Sequence, residues 1–208
     1  MLIVGLTGSI GMGKSTAAKH LRARHIPVLD ADAVVHRLYE GPLAHVIEAE
    51  FPGVTVGGRV DRARLSSVLA TKPGGFARLE GIVHPAVRHV ERAFLKSVKE
   101  RGAPVAVLEI PLLFETGADA LVDVKIVVSA TAEAQRERVL DRPGMSDAKL
   151  QTILSRQLPD AEKKARADFV VDTTGPVEDT QAQIDQILAE LPGRPESAFD
   201  RCWDNGTA

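Results

Sequence analysis

Hydrophobic residues gather in five short, β-branched runs: Leu2–Thr7, Ile26–Asp30, Val105–Ile110, Val122–Ser129 and Phe169–Asp172. Each run is nearly continuous rather than alternating, which is the habit of strands covered on both faces in a parallel sheet. Between the runs the apolar spacing becomes helical. Ser15–His25 follows the first run and Thr131–Leu140 the fourth, while Val177–Leu191 carries Ile184, Ile187, Leu188 and Leu191 on one stripe. Strands alternating with helices predict βαβ units and an α/β fold.

Two stretches break the alternation. Residues 33–102 hold helical patterns and no core strand, the clearest being Pro85–Arg101 with Val87, Val90, Phe94, Leu95 and Val98 at helical spacing. Residues 131–168 are rich in helix formers and are interrupted by Arg142-Pro143-Gly144. The expected organisation is a nucleotide-binding core over 1–32 and 103–191, with a mobile helical lid within 131–168. A helical insertion fills 33–102, and residues 192–208 read as a frayed tail.

Composition narrows the class without naming a function. The 208 residues are 44% hydrophobic and 26% charged, with 26 Lys+Arg against 28 Asp+Glu and a net charge of −2. That balance suits a globular chain and speaks against one that coats nucleic acid, which would carry a basic excess. The one cysteine, Cys202, permits neither an intrachain disulfide nor a multi-cysteine metal site. No apolar run reaches the ~20 residues of a membrane span, and no basic segment precedes the first apolar run as in a signal peptide. A cytoplasmic protein with no membrane partner is expected.

The chemistry begins at Gly8-Ser9-Ile10-Gly11-Met12-Gly13-Lys14-Ser15, which fits G-x-x-x-x-G-K-[ST] at every fixed position. It lies directly after an apolar strand and before a helical pattern, as a phosphate loop requires. Gly8, Gly11 and Gly13 let the backbone wrap an anion, and the Met12 position joins them through its amide. Lys14 suits the β- and γ-phosphates, the Ser15 hydroxyl suits Mg²⁺, and Thr16 is placed toward the α-phosphate. Guanine-specific GTPases need an Asn-Lys-x-Asp element, and the only asparagine here is Asn205. ATP is therefore the expected nucleotide.

Phosphoryl transfer to a hydroxyl also needs a proton acceptor and carboxylates around the metal. Asp30-Ala31-Asp32 ends the second run, at the sheet edge where ligands bind in open parallel sheets. Asp32 is the candidate base and Asp30 a support for metal-bound water, although a helix N-cap accounts equally for an Asp at 32. Glu109 ends the third run where a metal-shell carboxylate would lie, and Glu115 stands where a helix could start. Gln135, Arg138 and Arg142 share a helix face that either meets phosphates or is a solvated charged face. His84 and Pro85 open the basic helix that carries Arg88, where His84 acts as a cap or greets an anionic substrate.

Taken together, the loop Thr7–Ser15, Asp30-Ala31-Asp32, His84-Pro85 and Pro111-Leu112-Leu113-Phe114-Glu115 resemble the dephospho-CoA kinase family. Gln135-x-x-Arg138-x-x-x-Arg142, Gln157 and Ala167–Asp172 extend the resemblance to about residue 190. It implies a P-loop kinase core with a five-stranded parallel sheet, a helical CoA-binding insertion and a lid. It also implies Mg²⁺-dependent transfer from ATP to the ribose 3′-hydroxyl of dephospho-CoA, the last step of coenzyme A synthesis. On that likeness Asp32 is the catalytic base, and Lys14, Arg138 and Arg142 attend the phosphates. His84 and Arg88 lie in the substrate-binding insertion. Thr173 departs from the asparagine usual after Asp172. The rival classes are another small-molecule P-loop kinase and a module that binds ATP without transferring it.

Overall fold

All five apolar runs become strands of one sheet. In the computed structural model, which describes residues 1–204, the chain starts with β1 (Leu2–Thr7), α1 (Lys14–Ala23) and β2 (Val28–Asp30). There follow α2 (Ala31–Tyr39), α3 (Ala44–Glu50), the short strands β3 (Thr55–Val56) and β4 (Arg59–Val60), α4 (Arg62–Thr71) and α5 (Gly75–Glu100). Next come β5 (Val105–Glu109), a 3-10 turn Ala118–Leu121, β6 (Val124–Ser129) and α6 (Ala132–Leu140). The helices α7 (Asp147–Leu154) and α8 (Asp160–Arg166) precede β7 (Phe169–Asp172) and α9 (Val177–Glu190).

The sheet order is β2-β5-β1-β6-β7. β1 runs parallel to β5, with Leu2 opposite Val105 and Leu6 opposite Glu109, and parallel to β6, with Val4 opposite Val124. β6 in turn runs parallel to β7. Their inward side chains, among them Val4, Leu6, Val107, Ile126, Val128 and Val171, close a core with Ala17, Ala18 and Leu21 of α1 and Ile184 and Ile187 of α9. β2 starts two residues later than its apolar run. His25 is left-handed at φ 59°, and the Ile26 amide turns back to the Leu21 carbonyl at 3.0 Å, so Ile26 finishes α1 instead of starting the strand.

By its internal contacts the chain forms two units, Met1–Leu29 with Leu95 onward, and Asp30–Phe94. These limits fall at 30 and 94, where pattern alone set 33 and 102, because α5 runs through the second limit. Within Asp30–Phe94, β3 and β4 form a two-residue hairpin about Gly57 and Gly58, both at positive φ. Pattern reading missed it: four residues are too few to show a period. Ile47, Phe51 and Val54 of this unit are fully buried. α5 begins ten residues before Pro85, so His84 and Pro85 lie inside the helix rather than at its start.

The frayed tail is a correction. Phe199–Trp203 form a π-helical turn, and Ala198, Phe199 and Trp203 are buried. The Trp203 indole donates to the Leu121 carbonyl at 2.8 Å, and the Asp123 carboxylate accepts from the amides of Ser197 and Ala198. The stretch packs on the 3-10 turn Ala118–Leu121 and on Asp123, which a Pro- and Gly-rich composition concealed. Asn205 lies outside the described residues. Among the described residues no helix is long and apolar enough to cross a membrane.

Candidate active site

Gly8–Gly13 connect β1 to α1, and two of these residues need left-handed backbone: Gly11 at φ 77° and Gly13 at φ 81°. The walls around the loop also demand glycine. A Cβ on Gly8 would stand 2.4 Å from a Val128 methyl and 2.7 Å from the Val128 carbonyl oxygen. One on Gly11 would meet a Val139 methyl at 2.6 Å, and one on Gly13 the Thr173 hydroxyl at 3.0 Å. The glycines thus answer to protein packing as well as to phosphate access, the reason given from sequence.

α1 opens at Lys14, with the Thr16 and Ala17 amides bonded to the Gly13 carbonyl at 3.0 and 3.2 Å. First-turn amides have no partner within the helix, so those of Lys14 and Ser15 suit an anion there. Ser15 is exposed and Thr16 half-buried. Met12 is buried, and its sulfur accepts the Ala130 amide at 3.1 Å, so its side chain belongs to the core and only its backbone faces the loop. The Lys14 ammonium lies 2.9 Å from Oε1 of Glu109, which is 2% exposed at the end of β5. Arg22 approaches the other oxygen at 3.4 Å. Glu109 is therefore the partner of the lysine, a role that the sequence reading, which set it in the metal shell, did not anticipate.

On the other flank, Gln135 and Arg138 of α6 turn inward. Gln135 Nε2 donates to the Ile10 carbonyl at 2.8 Å, and the Ile10 amide donates to Oε1 of Gln157 at 3.3 Å. Arg138 donates to the Thr173 carbonyl at 2.5 Å and to its hydroxyl at 3.3 Å. That hydroxyl donates to the Met12 carbonyl at 2.9 Å. Arg138 is therefore tied to the loop through Thr173, and this face of α6 is not simply solvated. Arg142 is exposed just beyond α6. Hydrogen bonds from the hydroxyl and amide of Thr174 hold the Asp172 carboxyl below the usual carboxylate range.

In the Asp30–Phe94 unit, Asp30 caps α2, accepting the Ala33 amide at 3.0 Å. Asp32 is exposed in the first turn of that helix. The cap is Asp30, then, and the strand does not persist to give the two carboxylates a common direction. His84 is exposed within α5. Arg88 donates to Oε2 of Glu91 at 2.8 Å, and burial pushes the Glu91 carboxyl up while Arg88 opposes the shift.

Glu115 starts no helix; it lies in the turns between β5 and Ala118–Leu121. Among the described residues no group of three or more His, Cys, Asp or Glu is placed to hold a metal ion. The exposed Ser15 hydroxyl is a hard oxygen ligand beside the anion-binding amides, which suits Mg²⁺ sharing phosphate oxygens and keeping several waters.

The dephospho-CoA kinase family model matches residues 2–179. The chain belongs to the dephospho-CoA kinase family. Family members from Rhodopseudomonas palustris (strain ATCC BAA-98 / CGA009) and Agrobacterium fabrum are each 53% identical, over 93% and 92% of this chain and 99% and 98% of their own lengths. A crystal structure from Thermus thermophilus superposes with a TM-score of 0.80 at 38% identity, covering 92% of this chain and 98% of its own. The dephospho-CoA kinase from Campylobacter jejuni, at 23% identity and a TM-score of 0.69 over 91% and 96%, shares the fold.

Gln157 and Thr173 were given no work from sequence, and Glu115 was given the wrong one, a helix start. Each acts on backbone atoms of a distant segment, which no local spacing announces. Their one signal was membership of the family's motifs, or departure from them.

Proposed function

We propose that this chain transfers the γ-phosphoryl group of ATP to the ribose 3′-hydroxyl of dephospho-CoA, giving CoA and ADP. Membership of the dephospho-CoA kinase family supports the reading, and the observation that carries it is the glycine loop with Lys14 held by the buried Glu109. The first-turn amides of α1 grip the phosphates and Lys14 spans the β- and γ-phosphates. The Ser15 hydroxyl would hold Mg²⁺, which would offset phosphate charge.

Asp32 accepts the proton of the ribose hydroxyl as its oxygen bonds to the γ-phosphorus and the bond to the β–γ bridging oxygen breaks. Arg138 and Arg142 stabilise charge on the transferring group, with Arg138 already set beside Gly13 by Thr173. His84 and Arg88 take the CoA moiety. Catalysis on this account is positioning and electrostatics, since phosphoryl transfer asks little covalent chemistry of the protein.

Purified protein supplied with Mg²⁺-ATP and dephospho-CoA should form ADP and CoA in equal amounts, and nucleoside monophosphates should be poor acceptors. Transfer to a nucleoside monophosphate instead would make it a kinase of another class. ATP binding without transfer to any acceptor would make it a binding module.

A further inference from the structure

The phosphate loop is held at Ile10 from two sides by glutamine side chains, Gln135 on its carbonyl and Gln157 on its amide. A cavity of about 390 Å³ borders the loop at Ser9 and is also lined by Gln135, Gln157 and Asp160. Leu154, Leu158 and Pro159 supply apolar walls to this cavity, and the two glutamine amides make the hydrogen bonds to the loop at Ile10.

Next to Gln157 in the chain lies an ion pair whose lysine end is fully buried. The neighbouring Leu158 amide donates to Oε1 of Glu115 at 2.9 Å, and the Lys163 ammonium, fully buried in α8, lies 2.8 Å from the same oxygen. Glu115 sits six residues beyond Glu109, the partner of Lys14, and the segment between them is stitched to β1 where the Thr7 hydroxyl donates to the Pro111 carbonyl at 3.1 Å. One stretch of chain, 109–115, thus sets both the lysine of the loop and the residues that hold Ile10.

We propose that Gln157, anchored by the Glu115–Lys163 pair, is a positioning residue for the phosphate loop: it presets the loop for the nucleotide without touching it. The proposal rests on the reading of that loop as the ATP site. Burying a charged pair is a poor source of stability, because desolvation offsets most of the attraction. Its effect is conformational, holding the 157–158 backbone in one place so that one side-chain oxygen meets one loop amide.

The test is ADP affinity by calorimetry, read beside the melting temperature of the nucleotide-free protein. Gln157→Ala should weaken ADP binding about five- to tenfold, the worth of one well-placed hydrogen bond, with an almost unchanged melting temperature. The KM for ATP should rise while that for dephospho-CoA stays put. Glu115→Leu/Lys163→Leu removes both charges and the acceptor for Leu158. It should weaken ADP binding similarly and add little to Gln157→Ala, since both act through one contact. Glu115→Gln/Lys163→Met keeps an acceptor for the Leu158 amide but removes the ion pair; it should bind ADP more weakly than the wild type and more tightly than the Leu pair, and wild-type affinity in it would take the anchoring role from the pair.

Wild-type ADP affinity in Gln157→Ala, or a lowered melting temperature with unchanged affinity, overturns the proposal; so do fully additive effects. Should the Leu pair fail to fold, Gln157→Ala alone decides. Failure of the wild type to bind ADP would instead remove the nucleotide reading, and this inference with it.

Discussion

Two carboxylates two residues apart, Asp30 and Asp32, have been sorted by the backbone into different work. Asp30 spends an oxygen on the Ala33 amide, as an N-cap does, and so is not a free base. Asp32 follows in the first turn of α2, exposed. Asp32→Asn should therefore leave ADP binding within about twofold and lower turnover ~100-fold or more, the worth of a general base. Wild-type turnover in that variant would take the proton-accepting role from Asp32. Glu91 makes a prediction of another kind. Burial raises its pKa in the folded chain, so its contribution to stability is complete below the ordinary Glu value of about 4.3 and is lost as pH rises through the raised value. Urea midpoints of wild type and Glu91→Gln should diverge in favour of the variant as pH climbs from about 4 toward neutrality. A gap that stays constant with pH would mean the buried charge carries no penalty.

Elements with a long, clean period were readable in the chain, and those defined by single residues were not. β1 and β7 coincide with their apolar runs: β1 is buried at every position, whereas β7, at the sheet's edge, buries Val171 and exposes Val170 and Asp172. α5 was misjudged at its start: Pro85 reads as a helix opener, yet the helix accepts it eleven residues in. Proline there removes an amide, so the Gly81 carbonyl loses its helical partner. Pro85→Ala restores the donor and should raise stability by about 1–2 kcal/mol, after allowing for the freedom that alanine returns to the unfolded chain. Urea denaturation checks this: a lower midpoint would show that proline at this position serves the packing of α5. The phosphate loop was legible to the residue, but its supports were not. Thr173, Gln135 and Gln157 reach it from 125 or more residues away in sequence through backbone atoms, a relation that spacing does not encode.

At the scale of the molecule, the family model stops at residue 179, yet the fold uses the chain through Trp203. Asp123 is the hub. Its carboxylate accepts the amides of Ile3, Ser197 and Ala198, so one side chain joins β1 to the last segment. Lys99 stands over the Phe199 ring at 3.9 Å and pairs with Asp200, and Trp203 is 1% exposed with its indole nitrogen satisfied by Leu121. A buried tryptophan whose one polar atom is paired offers hydrophobic stabilisation with little desolvation cost, and its truncation leaves a cavity that the surroundings cannot fill. Trp203→Ala should then cost about 3–5 kcal/mol of stability. These contacts gather about Asp123 and Leu121, which precede β6, whereas the phosphate loop follows the carboxyl end of β1. In a parallel sheet those are opposite edges. The variant, assayed well below its melting temperature, should keep the wild-type KM for ATP. A raised KM with unchanged stability would mean that the last segment communicates with the nucleotide edge, and that the two edges of the sheet are not independent.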